Sequence, residues 1–390
     1  MKKYPFFAQW FLMLATFLIV TADCSAEDTA PPASPAVTAA LQPYLDSYKM
    51  AGIIGIIADR SGTIRYRNLL GYSDVETRQP ISENNVFWIA SMSKMFVGAS
   101  IMMLVDEGKV SLDDPVTNYI PELAKWMVLT ESNEDHVLLK PLVRPVTLRN
   151  LLSHTSGLAA LSELQRTVGA DRAPLKFRAL SSVTGPLQSQ PGDKYAYGNQ
   201  GMNIAARVVE IVSGMPYEEF IQERFFDPLG MTETTFWPGE AEIARLAGAY
   251  GPNQETNGFA RGRIEFLTKP YDDRVHRFPE AAGGLFSTTH DVLRYGLLLA
   301  NDGEVDGKRY LSHAAMNELR KEQTGTTKVN YSLGYHLRNG MFGHDGAYGT
   351  DLSVNPKTGM IAIFMVQCTS GDQWAARDQF LKTATQIFQE

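Results

Sequence analysis

The sequence predicts an α+β fold, in which one antiparallel sheet is built from both ends of the chain and a mainly helical lobe is inserted between them. Three observations support this class. Apolar, β-branched runs lie near the N-terminus at 53–58 and 63–70. Helical patterns joined by proline and glycine turns fill 109–284, and strand-like runs return between 331 and 366. A last helical pattern at 373–389 ends the chain, so helices should flank the sheet.

The composition is that of an ordinary globular protein. The chain has 390 residues, of which 44% are hydrophobic and 20% are charged, so it can bury a core of useful size. The formal net charge is −7 and no basic block is present, which argues against a nucleic-acid partner. The only two cysteines are Cys24 and Cys368, so a domain that begins after Cys24 has no intrachain disulfide.

The N-terminus predicts a secretory signal peptide over residues 1–26. Lys2 and Lys3 precede an apolar run at 6–20, and small residues follow at a suitable cleavage position. The run is short for a transmembrane helix, which needs about 20 apolar residues. We therefore expect an exported protein, periplasmic or secreted, with no stable membrane span. A retained signal anchor and a lipid on Cys24 are the alternatives.

A polar, proline-rich linker at 27–36 separates this segment from the predicted folded domain at 37–390. Within the domain, the sheet lobe is expected at 37–90 and 285–390. The helical lobe is expected at 91–284, where most of the helical patterns lie.

The first elements of the domain are a predicted helix at 36–48 and a hairpin whose turn lies at 59–62. The next helix is apolar nearly all round between residues 95 and 105, so we expect it to be central and buried. It should end near Gly108.

Within and just after the helical lobe, the clearest pattern is a helix at 201–214, followed by one at 217–226. A further helix should begin near Thr288, where Asp291 completes a capping-box pattern. C-terminal strands are predicted at 331–337, 348–354 and 360–366.

A Ser-x-x-Lys pattern at the start of the buried helix carries the most chemical information. Its three-residue spacing puts Ser91 and Lys94 on one helix face, a single turn apart. A serine hydroxyl becomes a nucleophile when a neighbouring base takes its proton. A lysine amine can be that base if burial lowers its pKa from roughly 10.4. The alternative is a helix-capping serine followed by a solvated lysine.

Two more motifs follow in order. Tyr197 and Asn199 form a Tyr-x-Asn element just before a predicted helix, and residues 344–346 read His-Asp-Gly near the C-terminal strands. With these three motifs the chain resembles the serine β-lactamase and penicillin-binding-protein superfamily. It is most similar to the class C branch, with the family VIII-type esterases and D-amino-acid peptidases. Supporting segments lie at 147–158, 227–231 and 283–287, and the resemblance extends over about residues 40–390.

The resemblance implies a β-lactamase/transpeptidase-like fold and roles for the motif residues. Ser91 would be the acylated nucleophile, and Lys94 would share or relay its proton. Tyr197 would act with Lys94, as a tyrosinate whose pKa the ammonium lowers; which of the two is the base stays open. Asn199 would hydrogen-bond the acyl-side amide of the substrate, its alternative being a turn-forming asparagine.

The third motif implies the oxyanion hole, formed by the backbone N–H groups of Ser91 and Ala347, which follows Gly346. The usual third motif of the family is Lys-Thr-Gly. This triplet occurs at 357–359, but Asn-Pro precedes it, so we interpret it as a hairpin turn and not as the site. His344 then stands where many relatives carry lysine. Since histidine is mostly neutral at pH 7, a substrate carboxylate should be bound less well.

Together these observations predict an exported serine hydrolase that forms an acyl-enzyme on Ser91 and cleaves esters or D-amino-acid amide and peptide bonds. A weak β-lactamase or D-alanyl-D-alanine carboxypeptidase is the first alternative, and a catalytically dead binding protein is the second. We expect a small-molecule ester, peptide or β-lactam substrate. Because no metal-binding or nucleotide-binding motif occurs, we expect no metal and no cofactor. His154 is expected to tie a helix end to a turn.

Overall fold

A computed structural model describes residues 30–160, 163–169, 171–253, 255–267 and 269–389. The predicted signal peptide, and the first three residues of the predicted linker, lie outside these residues. Pro31–Glu390 form one compact unit. Among the described residues, no helix is long and apolar enough to span a membrane.

The predicted α+β class is confirmed by a seven-stranded antiparallel sheet with helices on both faces. Its strands run in the order β12-β13-β14-β15-β1-β2-β3. The N-terminal hairpin joins the C-terminal strands through β1 and β15, where Ile54 is opposite Met365 and Ala58 is opposite Ile361. The strands are β1 (Gly52–Ala58), β2 (Ile64–Asp74), β3 (Gln79–Pro80), β4 (Phe87–Trp88), β5 (Val128–Ser132), β6 (Val137–Lys140), β7 (Tyr250–Asn253), β8 (Gly258–Arg261), β9 (Phe286–Ser287), β10 (Glu304–Val305), β11 (Lys308–Arg309), β12 (His336–Arg338), β13 (Met341–Asp345), β14 (Asp351–Val354) and β15 (Ile361–Met365).

The α-helices lie between and after these strands. They are α1 (Pro35–Asp46), α2 (Ser93–Asp106), α3 (Leu148–Leu152), α4 (Glu163–Val168), α5 (Leu175–Ser181), α6 (Gln200–Ser213), α7 (Tyr217–Ile221), α8 (Asp227–Leu229), α9 (Glu240–Ile243), α10 (Thr289–Ala300), α11 (His313–Arg320) and α12 (Gln373–Phe388). Short 3₁₀ turns lie at Ala90–Met92, Val116–Asn118, Pro121–Lys125, Ser182–Thr184 and Gly325–Thr327, and a π-helical turn at Gln222–Phe226. Each predicted helix is present within a few residues of its expected bounds.

Strand β1 shows how the sheet is covered on both sides. All seven of its residues are buried, because alternate side chains enter two different cores. Ile53 and Ile57 pack with α1 and α12, whereas Ile54 and Ile56 join the larger core that contains α2, α6 and α10. Helix α2 is buried from Ser93 to Leu104, as its apolar sequence predicts.

The predicted strands at 331–337 and 348–354 are shorter in the structure. Gly334 adopts a left-handed φ of +87°, and a Cβ on it would lie 2.5 Å from the carbonyl oxygen of Lys94, so the chain turns there against α2. The second strand begins only at Asp351. Ahead of it, a turn closed by the bond from Gly349 N–H to the Gly346 carbonyl (2.8 Å) brings the end of β13 towards the start of α2.

Candidate active site

Ser91 lies in the 3₁₀ turn that opens into α2, and it is half-buried. The residue before it, Ala90, is buried and adopts φ +46°, a left-handed conformation that costs free energy for a residue with a Cβ. The surrounding structure holds this turn in place. The Ser93 hydroxyl donates to the Ala90 carbonyl at 2.6 Å and accepts from the Leu285 N–H at 3.2 Å. A strained, braced turn therefore presents the Ser91 hydroxyl.

The amine of Lys94 is fully buried beside that hydroxyl. Its Nζ donates to Ser91 Oγ at 2.9 Å, to Asn199 Oδ1 at 2.9 Å and to the Ala282 carbonyl oxygen at 2.8 Å. Burial lowers the pKa of Lys94 to about 7, against the opposing charges of Glu280 and Asp345. A large fraction of the amine is therefore neutral near pH 7. Of its three partners only Ser91 has a hydrogen to donate, so the lone pair of the neutral amine points at the Ser91 hydroxyl.

Tyr197 lies over the same amine, with its ring centre 4.9 Å from Lys94 Nζ. The residue is 41% exposed, at the mouth of the site. Burial of its hydroxyl raises the pKa of Tyr197 well above its usual value, although a hydrogen bond with Ser91 acts in the opposite direction. The expected lowering of this pKa is therefore wrong, because the effect of burial is the larger of the two. Tyr197 is a neutral phenol that can donate a proton.

Asn199 occupies the N-cap position of α6, yet its side chain makes no capping hydrogen bond. Its amide oxygen accepts from Lys94 instead. The turn-forming alternative for this side chain is thus not what the structure shows.

The end of β13 approaches the nucleophile very closely at Gly346. A Cβ on Gly346 would lie 2.4 Å from the Ile89 carbonyl oxygen and 2.2 Å from Thr350 Oγ1, so only glycine fits. The next residue, Ala347, is exposed, and its carbonyl accepts from Gln373 Nε2 at 3.2 Å. Within the described ranges, its N–H has no acceptor in the protein. This backbone donor is free to bind an oxyanion.

His344 lies behind this edge and is only 1% exposed. Its Nδ1 is 2.6 Å from the Asp345 carbonyl oxygen, which can only accept, so Nδ1 carries the hydrogen. Its Nε2 then accepts from the Tyr331 hydroxyl at 3.1 Å, and the Tyr331 oxygen accepts from His154 Nε2 at 3.1 Å. Burial lowers the pKa of His344 well below 6.5. His344 is thus neutral, as expected at pH 7, and both its nitrogens are hydrogen-bonded within the protein.

His154 also differs from expectation. Its side chain does not cap a helix end; it bonds to Tyr331 and packs against the Tyr197 ring, with ring centres 4.6 Å apart. Its backbone, at φ +59°, does form the turn after α3, and its carbonyl accepts from the Ala196 N–H at 2.9 Å.

Asp345 is the charged centre behind the histidines. It pairs with His336 Nε2 at 3.2 Å, with Arg338 Nη2 at 2.9 Å and with Arg377. Because two guanidinium groups already neutralise this carboxylate, the nearby His336, His344 and Asp345 side chains form a poor cation site, although their ligand atoms lie within 4.8 Å of one another. We therefore still expect no metal.

The Lys-Thr-Gly triplet at 357–359 lies in the turn between β14 and β15, as predicted. The Asn355 side chain accepts from the backbone N–H groups of Lys357 and Thr358, at 3.0 and 3.2 Å. The turn interpretation is confirmed.

Three groups of the site were missed from the sequence: the hydroxyl of Tyr331, the carboxylate of Glu280 and the carbonyl of Ala282. The last two lie in the short connection before β9, where Lys94 finds one of its three acceptors. The only signal is an acidic residue next to the run Ala-Ala-Gly-Gly, which marks a polar side chain in an otherwise apolar segment.

Comparison with known proteins identifies the family. Residues 37–386 match the Beta-lactamase family. The chain is 34% identical over 309 residues to lovastatin esterase from Penicillium rubens, covering 73% of this chain and 72% of that protein. It is 28% identical over 303 residues to penicillin-binding protein 4 from Amycolatopsis lactamdurans, covering 73% of each.

Among solved structures, the fold is similar to that of EstCE1, described as a hydrolase with promiscuous acyltransferase activity. The TM-score is 0.73 at 20% identity, over 90% of this chain and 97% of the other. The extent of the family match, together with the identity to lovastatin esterase, settles the family. The chain belongs to the Beta-lactamase family and is a serine hydrolase with its fold.

Proposed function

We propose that this protein is an esterase that hydrolyses small-molecule esters through an acyl-enzyme on Ser91. One observation carries the proposal: a fully buried lysine amine, with a pKa of about 7, lies 2.9 Å from a half-buried serine hydroxyl. A merely structural lysine would gain nothing from a site that removes its charge. The intact set of Ser91, Lys94 and Tyr197 also argues against a catalytically dead binding protein.

Acylation follows from the geometry. Ser91 Oγ attacks the ester carbonyl as its proton passes to the neutral Lys94 amine, and the developing oxyanion is bound by the N–H groups of Ser91 and Ala347. The carbon–oxygen bond to the alcohol then breaks. Tyr197, which keeps its proton, donates it to the departing alkoxide and recovers a proton from Lys94. Asn199 keeps the amine aligned and faces the acyl group.

Deacylation uses the same groups in reverse. A water molecule takes the place of the alcohol and loses its proton to the restored base. Its oxygen bonds to the acyl carbon, and the bond to Ser91 Oγ breaks as that oxygen takes the proton back from Lys94, which releases a carboxylic acid and restores the serine hydroxyl.

Esters are favoured over substrates with a carboxylate because, in the part of the chain that the structure describes, no unpaired cation lies at the third motif. His344 is neutral and bonded to Tyr331, so it cannot bind a carboxylate as a lysine would. The similarity to lovastatin esterase supports the same preference.

A second candidate is a D-amino-acid peptidase or weak β-lactamase. It is favoured by the similarity to penicillin-binding protein 4, which covers as much of this chain as the similarity to the esterase does. Export, and the removal of residues 1–26, also remain part of the proposal, since they rest on the N-terminal sequence alone.

Labelling tests the acyl-enzyme. Purified protein and its Ser91→Ala variant are treated with a fluorescent fluorophosphonate and with a fluorescent penicillin, and turnover of p-nitrophenyl butyrate and nitrocefin is measured. We expect fluorophosphonate labelling and ester turnover that both disappear in Ser91→Ala, with little nitrocefin hydrolysis. Penicillin labelling on Ser91 with weak ester turnover would favour the second candidate. No labelling by either probe would end the acyl-enzyme proposal.

A further inference from the structure

Glu280 is a buried carboxylate that the chemistry above does not use. It is 2% exposed, and so is its partner Arg178. Its Oε2 pairs with Arg178 of α5, and its Oε1 accepts from Asn203 Nδ2 of α6 at 2.9 Å. A buried ion pair of this kind contributes little net stability, so its value must lie in what it positions.

The backbone of Glu280 shapes the connection that reaches Lys94. Its carbonyl accepts from the N–H of Gly283 at 3.0 Å and from that of Gly284 at 2.7 Å, which closes a tight turn. Trp88 holds the turn from the other side, since its Nε1 donates to the Gly283 carbonyl at 2.7 Å. The Ala282 carbonyl, inside this turn, accepts from Lys94 Nζ at 2.8 Å.

The side chain of Glu280 braces the other acceptor of the amine. Asn203, which Glu280 binds, lies one helical turn after Asn199, and its N–H donates to the Asn199 carbonyl at 3.0 Å. The same glutamate thus contacts both elements that supply acceptors to Lys94, apart from the nucleophile itself.

We infer that Glu280 is a positioning residue for the reaction, which holds Asn199 and the Ala282 carbonyl against the amine so that the lone pair of Lys94 is aimed at Ser91. Its negative charge has a second effect, because it favours the ammonium form and so sets the pH at which Lys94 becomes a base. This inference rests on the proposed role of Lys94.

The charged and titratable groups around the amine are few. The negative charges of Glu280 and Asp345 both raise the pKa of Lys94, and the contribution of Glu280 is the larger. His154 and His344 face it as neutral rings, since burial and the charge of Lys94 lower their pKa values. Tyr197 is neutral as well.

Two substitutions separate charge from position. Glu280→Gln keeps an oxygen for Asn203 but removes the charge that favours the ammonium form of Lys94. The acidic limb of the pH profile of kcat/KM should therefore move to lower pH, by roughly half a unit or more. Glu280→Asp keeps the charge but shortens the side chain, so the rate should fall about tenfold while the limb stays in place. Both are measured with p-nitrophenyl butyrate between pH 5 and 9.

Controls cover a folding defect. Glu280→Gln leaves Arg178 buried without its anion, so the double variant Arg178→Met/Glu280→Gln is made as a neutral pair and should show the same shift. Glu233→Gln, in which a carboxylate paired with Arg245 loses its charge, should leave the limb unchanged.

The outcomes are distinct. An unshifted limb in folded Glu280→Gln and in the double variant, with a wild-type rate in Glu280→Asp, would overturn the inference while leaving the acyl-enzyme intact. Wild-type protein that is not labelled by fluorophosphonate would instead overturn the function on which the inference rests.

Discussion

The Lys94 site and the β5–β6 hairpin differ in burial: the first is buried and fully hydrogen-bonded, whereas the second is exposed. Hydrogen bonds nevertheless join the hairpin to the segment that precedes Tyr197. Around Lys94 each donor of the amine has a partner, and the amine is fully buried. In the hairpin all four residues of β6 are exposed, including Val137 at 58% and Leu138 at 46%. A row of apolar side chains faces solvent on this part of the chain.

The hairpin is tied to the segment that leads to Tyr197. The N–H of Leu129 donates to the Leu187 carbonyl at 2.8 Å, and the N–H of Val143 donates to Gln190 Oε1 at 3.0 Å. The contrast teaches where change is tolerated. Substitutions around Lys94 should affect the rate with every ester, whereas substitutions in the hairpin should affect which esters are preferred.

The largest effect should follow from removing the buried amine. Lys94→Ala should lower kcat/KM for p-nitrophenyl butyrate by at least about a hundredfold, because Ser91 loses its base. Lys109→Ala, which removes an exposed lysine paired with Glu107, is the control and should be near wild type. A near-normal rate in Lys94→Ala would show that Ser91 does not need the buried amine as its base.

Tyr197→Phe should also lower turnover, by at least about a hundredfold, since the alkoxide then leaves without its proton donor. An ester with a better leaving group needs that proton less. The loss should therefore be smaller for a p-nitrophenyl ester than for an ethyl ester of the same acid, measured by product release. Equal losses for both would argue that Tyr197 acts elsewhere in the reaction.

In the wild-type protein, kcat/KM should rise with pH through about pH 7 and then stay level to about pH 9. The sign follows from the two pKa shifts: the reaction needs Lys94 neutral, which occurs above a pKa of about 7, and Tyr197 protonated, which its raised pKa preserves. A stopped-flow profile with fluorophosphonate checks the same limb without turnover. A rate that does not rise through pH 7 would contradict the assignment of Lys94, and a rate that falls between pH 7 and 9 would contradict that of Tyr197.

The smallest effect belongs to the hairpin. Leu138→Ser/Leu139→Ser should raise KM for long-chain p-nitrophenyl esters by about threefold to tenfold, with little change for the acetate. Thr130→Ala, on the partner strand, is the matched control. If the double variant keeps the chain-length preference of the wild type, the hairpin does not select substrates and the proposed difference between the two regions is wrong.

The sequence was most informative where the signal is local. The hairpin around 59–62, the buried α2 and the turn at 357–359 follow from neighbouring residues, and so does the approach of Lys94 to Ser91. The position of Tyr197 beside Lys94 also agrees with the sequence, because its motif lies within one short segment.

What the sequence missed depends on packing between distant segments. The direction of the Tyr197 pKa shift is set by how deeply its hydroxyl is buried, which no motif encodes. Tyr331 and Glu280 are single polar residues without a pattern, and their partners lie far away in the chain. His344 was placed correctly on its strand, but its inward orientation depends on Tyr331.

The contact at Gly346 bears on how the proposed oxyanion hole keeps its shape. Because Gly346 has no side chain, the end of β13 can lie close to the residues before Ser91. Any larger residue at this position would push these two segments apart. Since φ at Gly346 is not left-handed, the barrier is purely one of space. A side chain at position 346 would therefore move the neighbouring Ala347 N–H away from the nucleophile, and the proposed oxyanion hole would lose its second donor.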